Sequence, residues 1–256
     1  MSKFQLEIEG LSISFGGLKA VSDFSMGIRQ GEIVGLIGPN GAGKTTVFNC
    51  ISRFYQPNAG RILFEGRELT KEPAHKIIHY GIARTFQNVE LFKTLTVMDN
   101  LLIGQHHRMS ENFLAGLLAL PQKRKAEEIA REQAKEVLGF LNLEQVSESS
   151  VQSLPFGVQK MVEMARALVS QPKLLLLDEP AAGSNPHETS KLAALIKRIR
   201  DEFGISILLV EHDMSLVMEL CQRLYVMDFG KKIAEGEPAE IQRNPAVIEA
   251  YLGKDN

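Results

Sequence analysis

The segment of this sequence that most constrains the fold is an octapeptide between a strand-like run and a helix-like run. Residues 38–45 read Gly-Pro-Asn-Gly-Ala-Gly-Lys-Thr and follow the apolar run Ile33–Ile37. A short continuous apolar run is typical of a parallel strand that is buried on both faces. The residues after the octapeptide predict a helix over Thr46–Ser52. The spacing G-x-x-x-x-G-K-T between a strand and a helix predicts a loop whose backbone N–H groups bind phosphate oxygens at the helix N-terminus.

The side chains of this loop have separate predicted roles. The Lys44 ammonium is expected to reach the β- and γ-phosphates of a bound nucleotide, and the Thr45 hydroxyl is expected to ligate Mg²⁺. The residues that we expect at the nucleotide are Gly38, Pro39, Asn40, Gly41, Ala42, Gly43, Lys44, Thr45 and Thr46.

Two further apolar runs end in polar side chains suited to phosphate chemistry. The run 174–177 is followed by Asp178 and Glu179, and the run 205–210 is followed after one residue by His212. A strand that ends in two acids is by itself more often a solvated turn, but beside a phosphate-binding loop Asp178 suits the magnesium-side acid. Glu179 then suits a general base that polarises the attacking water. His212 is placed to sense the γ-phosphate or the water, whereas in isolation it could be a hydrogen-bonded structural residue.

The order of the remaining patterns predicts an α/β fold. Residues 4–15 and 61–66 are expected as strands that lead into turns, and residues 95–143 as largely helical, with an amphipathic helix over Lys123–Leu143. Strands and helices then alternate, which predicts a largely parallel sheet. These alternating elements are expected over Val158–Val169, Leu174–Leu177, Glu188–Phe203, Ile205–Val210, Met214–Cys221 and Arg223–Met227, with a hairpin strand over Ile233–Glu237.

Composition narrows the function classes. The chain of 256 residues is 44% hydrophobic and 23% charged, which is typical of a globular protein. A net charge of -2 provides no attraction to nucleic acid, so we expect no nucleic-acid partner. Cys50 and Cys221 are too few for a disulfide framework or a metal site, which favours a reducing cytoplasm. The chain opens without the apolar core of a signal peptide, and its longest apolar runs are strand-sized, so we do not expect it to cross a membrane by itself.

Two other segments are ambiguous by themselves. Gln87, within Thr-Phe-Gln-Asn, could be only a surface glutamine. Residues 153–160, Ser-Leu-Pro-Phe-Gly-Val-Gln-Lys, could be only a helix-entry turn or could be an altered phosphate-binding segment.

Taken in chain order, these features resemble an ATP-binding cassette ATPase, and the resemblance covers essentially the whole chain. The matching features are Phe15, residues 38–45, Gln87, residues 153–160, residues 174–179 and His212. The resemblance implies a P-loop NTPase fold with a RecA-like core, an antiparallel β subdomain and an inserted α-helical subdomain. It places the core and β subdomain at residues 1–88 and 161–256 and the helical subdomain at residues 89–160.

The resemblance also implies cofactors and roles for individual residues. ATP and Mg²⁺ would be bound with Phe15 stacked on the adenine and Val21 nearby. Gln87 would touch Mg²⁺ and the attacking water and would link the site to a membrane partner. Two such domains would close head-to-tail over two ATP molecules. The segments that would face the other subunit are the signature residues Leu154, Pro155, Phe156, Gly157 and Val158 and the inter-subunit loop Gly183, Ser184 and Asn185.

The finer resemblance is to the larger ATPase subunit of branched-chain amino-acid importers. It is carried by residues 15–21, 81–88, 179–183 and 247–253. It implies integral membrane permease subunits as partners, a second homologous ATPase subunit or a second copy of this chain, and, indirectly, a periplasmic or surface solute-binding protein. It places the chain in the cytoplasm, peripherally on the inner face of the cell membrane. Related subunits serve urea, short amides or other amino acids, so the solute stays open.

Two positions depart from the family pattern. The family's common signature is L-S-G-G-Q, of which residues 154–158 keep only the Leu and the second Gly. Pro155 and Phe156 are near the L-[SAP]-[YF]-G-Q pattern that branched-chain subunits resemble, so the unusual positions are Val158 in place of Gln and Ser184 where Leu is usual. We expect the helix after the signature to begin near Gly157, with the backbone N–H groups of Gly157 and Val158 facing a phosphate of the opposite subunit.

Two functions compete with that of an importer ATPase. A soluble cassette ATPase of DNA repair or translation usually has two cassettes, long coiled-coil insertions or zinc insertions, which this chain lacks. A nucleotide-binding regulator without hydrolysis is favoured by Val158 but opposed by Glu179 and His212. An ATP-bound dimer of a Glu179→Gln variant and co-purification with a membrane protein would discriminate between these functions.

Overall fold

The computed structural model describes residues 3–85, 89–106 and 121–252, without the side chains of residues 121–124 and 252. The chain divides into two compact units, one of Met1–Ile77 with Lys173–Asn256 and one of Ile78–Pro172. The subdomain boundaries expected at residues 88/89 and 160/161 stay a prediction. Among the described helices, none is long and apolar enough to cross a membrane.

Strands and helices of the described residues alternate between residues 156 and 228, as a largely parallel sheet requires. The strands are β1 (Leu6–Phe15), β2 (Leu18–Ile28), β3 (Ile33–Ile37), β4 (Ala59–Phe64), β5 (Arg67–Glu68), β6 (Ile82–Arg84), β7 (Leu174–Asp178), β8 (Ser206–Val210), β9 (Arg223–Asp228) and β10 (Lys231–Gly236). The helices are α1 (Lys44–Ile51), α2 (Val97–Gly104), α3 (Pro121–Phe140), α4 (Phe156–Leu168), α5 (Pro186–Phe203), α6 (Met214–Leu220), α7 (Pro238–Ile241) and α8 (Pro245–Leu252). Short 3₁₀ turns lie at Ala74–Lys76, Ile78–Tyr80, Glu144–Val146 and Val151–Ser153.

The first unit contains an antiparallel sheet in the strand order β2-β1-β4-β5. Leu6 of β1 pairs with Ile28 of β2 on one side and with Phe64 of β4 on the other. Leu6, Ile8, Leu11 and Ile13 of β1 are buried. Successive side chains of a strand point to opposite faces of the sheet. Leu6 and Ile8 are two positions apart, as are Leu11 and Ile13, so each of these two pairs puts one face of the sheet into the core.

A second sheet of the first unit positions the candidate site. Its strands follow the order β10-β9-β3-β8-β7, and β9, β3, β8 and β7 run parallel. Every residue of β3, β7 and β8 is buried, as the apolar runs predicted. Val210 pairs with Leu36 of β3 and with Asp178 of β7. The loops that follow these three strands therefore begin at the same edge of the sheet, where ligands of open α/β sheets bind.

Several helices begin earlier than the periodicity predicted, because local capping decides where a helix starts. Helix α1 begins at Lys44 rather than Thr46, directly after Gly43 in a left-handed conformation. Helix α5 begins at Pro186 rather than Glu188, because the Asn185 side chain accepts hydrogen bonds from the first turn and forms a capping box with Glu188.

The helical pattern predicted over residues 95–143 is divided in the described residues. Helix α2 covers Val97–Gly104 after a capping box between Thr96 and Asp99, and α3 covers Pro121–Phe140. Helices α7 and α8 were not predicted. Each has Pro at its first position, which is a usual helix-start signal.

A buried tyrosine connects the two sheets of the first unit. The Tyr225 hydroxyl of β9 accepts a hydrogen bond from the Gly27 N–H at 3.0 Å and donates one to the Gly27 carbonyl at 3.1 Å. The Arg223 guanidinium donates to the same carbonyl at 2.8 Å and to Glu32. Burial raises the pKa of Tyr225 from 10.0 to about 12.

Replacing Tyr225 by Phe is expected to lower the free energy of unfolding by about 1–2 kcal/mol, because the buried Gly27 N–H then lacks its acceptor. Arg223 still serves the Gly27 carbonyl, which limits the loss. Because the folded-state pKa lies above the unfolded value, the stability that Tyr225 contributes is present below pH 10 and is lost as the pH rises towards 12. Urea unfolding at pH 8 and pH 11 measures both effects, and a variant as stable as the unchanged chain at pH 8 would contradict them.

Candidate nucleotide-binding and hydrolysis site

The loop of residues 38–45 has two positions at which the backbone admits only glycine. Gly38 has φ 148°, and a Cβ built on it would lie 2.1 Å from the Met227 carbonyl oxygen. Gly43 has φ 102°, and its Cβ would lie 2.6 Å from the Ala20 carbonyl oxygen. These contacts explain two glycines of the motif, because any larger residue would push the loop away from β2 and β9.

Lys44 folds back over the loop that precedes it, and the other loop residues differ in exposure. Lys44 is buried, and its Nζ donates hydrogen bonds to the Gly38 carbonyl at 2.7 Å and to the Pro39 carbonyl at 3.0 Å. The ammonium therefore lies over the loop itself, ahead of the helix N-terminus where a phosphate binds. Of the other predicted contacts, Asn40, Gly41 and Thr45 are exposed, Thr46 is half-buried and Ala42 is buried.

Two oxygen donors that could hold a magnesium ion lie on α1 and at the end of β7. Thr45 follows Lys44 in the first turn of α1, and Asp178 is a buried residue at the carboxyl end of β7. Among the described residues, no group of three or more His, Cys, Asp or Glu side chains could hold a metal by itself. One hydroxyl and one carboxylate fit Mg²⁺, which usually takes one or two protein ligands together with substrate phosphates and water.

Glu179 and His212 converge although 33 positions separate them in the sequence. Asp178 pairs with Val210, which brings together the loops that follow β7 and β8. His212 Nδ1 lies 3.8 Å from Glu179 Oε2, with 61% of the His212 side chain and 20% of the Glu179 side chain exposed. Glu179 has φ 48°, an uncommon conformation for a residue other than glycine. A carboxylate and an imidazole at this edge can together face a γ-phosphate and an attacking water.

The predicted adenine platform includes a second aromatic ring that the sequence analysis did not assign. Phe15 lies at the end of β1 with 45% of its surface exposed, and its ring meets that of Tyr55 edge-on at 5.0 Å between centroids. Val21 is buried against the loop, near Gly43. The paired aromatics Phe54-Tyr55 after α1 were the signal available in the sequence.

The predicted inter-subunit loop follows Glu179 in the first unit. Gly183 has φ 80° and is exposed, and the Ser184 N–H donates to the Ala181 carbonyl at 2.9 Å. The Asn185 side chain accepts from the N–H groups of His187 and Glu188 at 3.0 Å each, so it serves as the cap of α5. The loop is therefore anchored at its C-terminal end by a helix start.

The signature segment lies in the second unit, at the start of a helix. Helix α4 begins at Phe156, with Pro155 as its N-cap. The Val158 N–H donates to the Pro155 carbonyl at 2.9 Å. The first amides of a helix have no intrahelical acceptor, which leaves Phe156 and Gly157 as the donors at this helix start. Phe156 and Gly157 are exposed, and Leu154 and Val158 are half-buried.

Gln87, predicted as a magnesium ligand and contact of the attacking water, lies outside the described residues.

Replacing Val158 by Gln is expected to raise ATP-driven dimerisation or turnover by about two- to tenfold, which is the worth of one added hydrogen bond. The Val158 side chain offers no polar group to a nucleotide held by a second subunit. Size-exclusion chromatography with ATP and phosphate release measure the effect. Ile129→Gln on α3, at a residue that is 51% exposed, is the matched control. Unchanged or lower values for both measurements would contradict this expectation.

Comparison with known proteins decides the family. The family model for ABC transporters matches residues 21–182, which is more than half of the chain and includes the phosphate loop, the signature segment and both carboxylates. The chain belongs to the ABC transporter family. It is an ATPase subunit of that family, and the predicted P-loop NTPase fold is confirmed. A second model, for branched-chain amino acid ATP-binding cassette transporters, matches residues 231–255.

Relatives and solved ABC structures match this ABC ATPase along nearly its whole length. It is 47% identical over 254 residues to the high-affinity branched-chain amino acid transport ATP-binding protein BraF of Pseudomonas aeruginosa, covering 99% of this chain and 100% of that protein. It is 45% identical over 254 residues, with the same coverage, to the corresponding protein LivG of Escherichia coli. The ADP conformation of an ABC transporter cassette superposes with a TM-score of 0.85 at 35% identity, covering 99% of this chain and 100% of that one. A nucleotide-free cassette gives 0.84 at 34% identity, covering 97% and 99%.

Proposed function

We propose that this ABC ATPase energises the import of branched-chain amino acids. The observation that carries the solute assignment is the match of residues 231–255 to the branched-chain amino acid cassette model. Relatives whose names state branched-chain amino acid transport support it at 45–47% identity over 99% of the chain. The solute itself binds to other subunits, so nothing in the nucleotide site selects it.

The hydrolysis reaction is ATP plus water to ADP plus phosphate. In the proposed mechanism Glu179 orients the water and accepts its proton as the water oxygen attacks the γ-phosphorus. Lys44, His212 and the Gly157 N–H of a second subunit stabilise the charge that develops on the γ-phosphoryl oxygens. Mg²⁺, held by Thr45, Asp178 and Gln87, would neutralise negative charge on the phosphates.

The remaining protein residues bind and orient the nucleotide. Phe15 provides an exposed ring for the adenine, and the backbone of residues 38–46 surrounds the phosphates. Leu154–Val158 and Gly183–Asn185 form the surfaces that a second ATPase subunit would contact. Membrane permease subunits would hold the pair at the cytoplasmic face of the membrane, with a solute-binding protein on the other side.

Reconstitution with the permease subunits tests the proposal. The chain is affinity-purified from detergent-solubilised membranes of its source cells, and the co-purified complex is placed in liposomes with its solute-binding protein. ATP-dependent uptake of labelled leucine, absent with a Glu179→Gln chain, is expected. Uptake of urea or short amides instead of leucine would overturn the solute assignment. Persistent purification without any polytopic membrane protein would overturn the transport role.

A further inference from the structure

Glu211 is a fully buried acid that has no part in the nucleotide-binding and hydrolysis roles proposed above. It lies between the end of β8 and His212, and its side chain is 0% exposed. Its Oε1 accepts a hydrogen bond from the Ala181 N–H at 2.8 Å. Its Oε2 accepts from the N–H groups of His212 at 2.9 Å and Asp213 at 3.1 Å. Three backbone amides thus replace the water that burial removes from the carboxyl group.

The two carboxyl oxygens serve different loops. Ala181 belongs to the loop after β7, two residues beyond Glu179, whereas His212 and Asp213 belong to the loop after β8. Strands β7 and β8 end side by side, and the hydrogen bonding between them extends to the Glu179 N–H, which donates to the Val210 carbonyl at 2.9 Å. Beyond Val210, the Glu211 side chain links the loops that follow β7 and β8 by its hydrogen bonds.

The backbone at Glu179 needs such support. Its φ of 48° lies in the left-handed region, which is unfavourable for a residue with a side chain and persists only where surrounding contacts enforce it. The Ala182 N–H donates to the Glu179 carbonyl at 3.1 Å and closes a turn. Glu211 holds Ala181 inside this turn, and the turn sets the direction in which the Glu179 side chain leaves the strand.

We propose that Glu211 is a positioning residue for hydrolysis, which holds the Glu179 loop and the His212 loop in one alignment so that both side chains face the same γ-phosphate. The proposal rests on the roles proposed above for Glu179 and His212. It predicts an effect on the chemical step and not on ATP binding, because Glu211 makes none of its described hydrogen bonds to the loop of residues 38–45.

The substitution Glu211→Gln keeps nearly the same side-chain volume but removes one of the two acceptor oxygens, so the side chain can no longer anchor both loops. A glutamine side chain has one acceptor oxygen, and its NH₂ group can only donate. It can therefore serve the Ala181 N–H or the N–H groups of His212 and Asp213, but not both loops. One loop loses its anchor while the core keeps its packing.

The test measures kcat, KM and the Kd for ATP of purified E211Q beside three other chains: unchanged protein, E179Q and E219Q. E211Q is expected to lower kcat by about 10- to 100-fold, the usual effect of misplacing a catalytic group by about an ångström, and to leave the Kd for ATP within about twofold. Glu219 lies on the next helix, is exposed and pairs with Lys197, so E219Q is the matched control and keeps the unchanged kcat.

The E179Q variant distinguishes a failure of the role proposed for Glu179 from a failure of the role proposed for Glu211. If E179Q keeps its turnover, the proposed role of Glu179 is wrong. If E179Q loses turnover and E211Q stays within twofold of the unchanged chain, only the positioning role of Glu211 is wrong. Equal losses of kcat and ATP affinity in E211Q would also overturn the proposal, because a general structural defect lowers both.

Thermal unfolding shows whether E211Q is folded at the assay temperature. If it is not, E211D replaces it, since aspartate keeps both acceptor oxygens but is one methylene too short to reach both loops. E211D is expected to lower kcat with an unchanged Kd for ATP. If E211D is also unfolded, Glu211 is a structural residue and the proposal is overturned.

Discussion

Replacing Glu179 by Gln is expected to lower ATP turnover by about 10²- to 10⁴-fold, which is the range of a lost general base. The glutamine amide has the same size as the carboxylate but accepts no proton from the attacking water. The Lys44 ammonium donates to the Gly38 and Pro39 carbonyls within the phosphate loop, and a substitution at position 179 leaves both acceptors in place. ATP binding is therefore retained, and the ATP-bound state accumulates.

Two measurements check this expectation. Phosphate release gives the turnover, and size-exclusion chromatography with Mg-ATP shows whether an ATP-bound dimer collects. Glu219→Gln is the control, because Glu219 is an exposed residue that pairs with Lys197 at 3.2 Å. Turnover within tenfold of the unchanged chain would exclude Glu179 as the base. A monomer with bound ATP would instead contradict the sandwich arrangement of two isolated subunits.

Replacing Lys44 by Ala is expected to weaken ATP binding by about 10- to 100-fold. A hydrogen bond to a charged group contributes about 1.5–3 kcal/mol, and each 1.4 kcal/mol corresponds to a factor of ten in affinity. Lys44 Nζ donates to the Gly38 and Pro39 carbonyls at 2.7 and 3.0 Å. A bound phosphate competes with these two hydrogen bonds for the Lys44 ammonium. The loss of ATP affinity in Lys44→Ala is therefore smaller than the strength of an isolated ion pair in vacuum.

Titration calorimetry with ATP measures the affinity, and thermal unfolding confirms that the variant is folded. Lys197→Ala is the matched control, because Lys197 is a partly exposed lysine that donates a hydrogen bond to Glu219 at the surface. A Kd for Lys44→Ala within threefold of the unchanged chain would show that the backbone amides alone hold the phosphates.

Local motifs account for the parts of the site that could be predicted from sequence. The loop of residues 38–45 was recognisable because its glycines, lysine and threonine lie in one continuous segment between a strand and a helix. The strands β3, β7 and β8 were recognisable because burial on both faces leaves uninterrupted apolar runs. Helix starts were placed less well, because side-chain capping by residues such as Asn185 shifts them by a turn or less.

Contacts between distant residues account for most of the rest. The edge-on pairing of Phe15 with Tyr55 joins the end of β1 to the segment after α1. The engagement of the Val158 N–H with Pro155 depends on how the first turn of α4 closes, and the residue types of the signature do not specify it. Neither contact follows from a periodicity or a motif.

The sequence by itself determined the phosphate loop, the α/β alternation and the candidate acids Asp178 and Glu179, because each is encoded within a few consecutive residues. Only the tertiary structure decided that Glu179 and His212 lie 3.8 Å apart and that Glu211 joins their loops by hydrogen bonds. The physical reason is the register of the parallel sheet. Pairing of Asp178 with Val210 places two strand ends side by side, and such pairing arises from packing of the whole core.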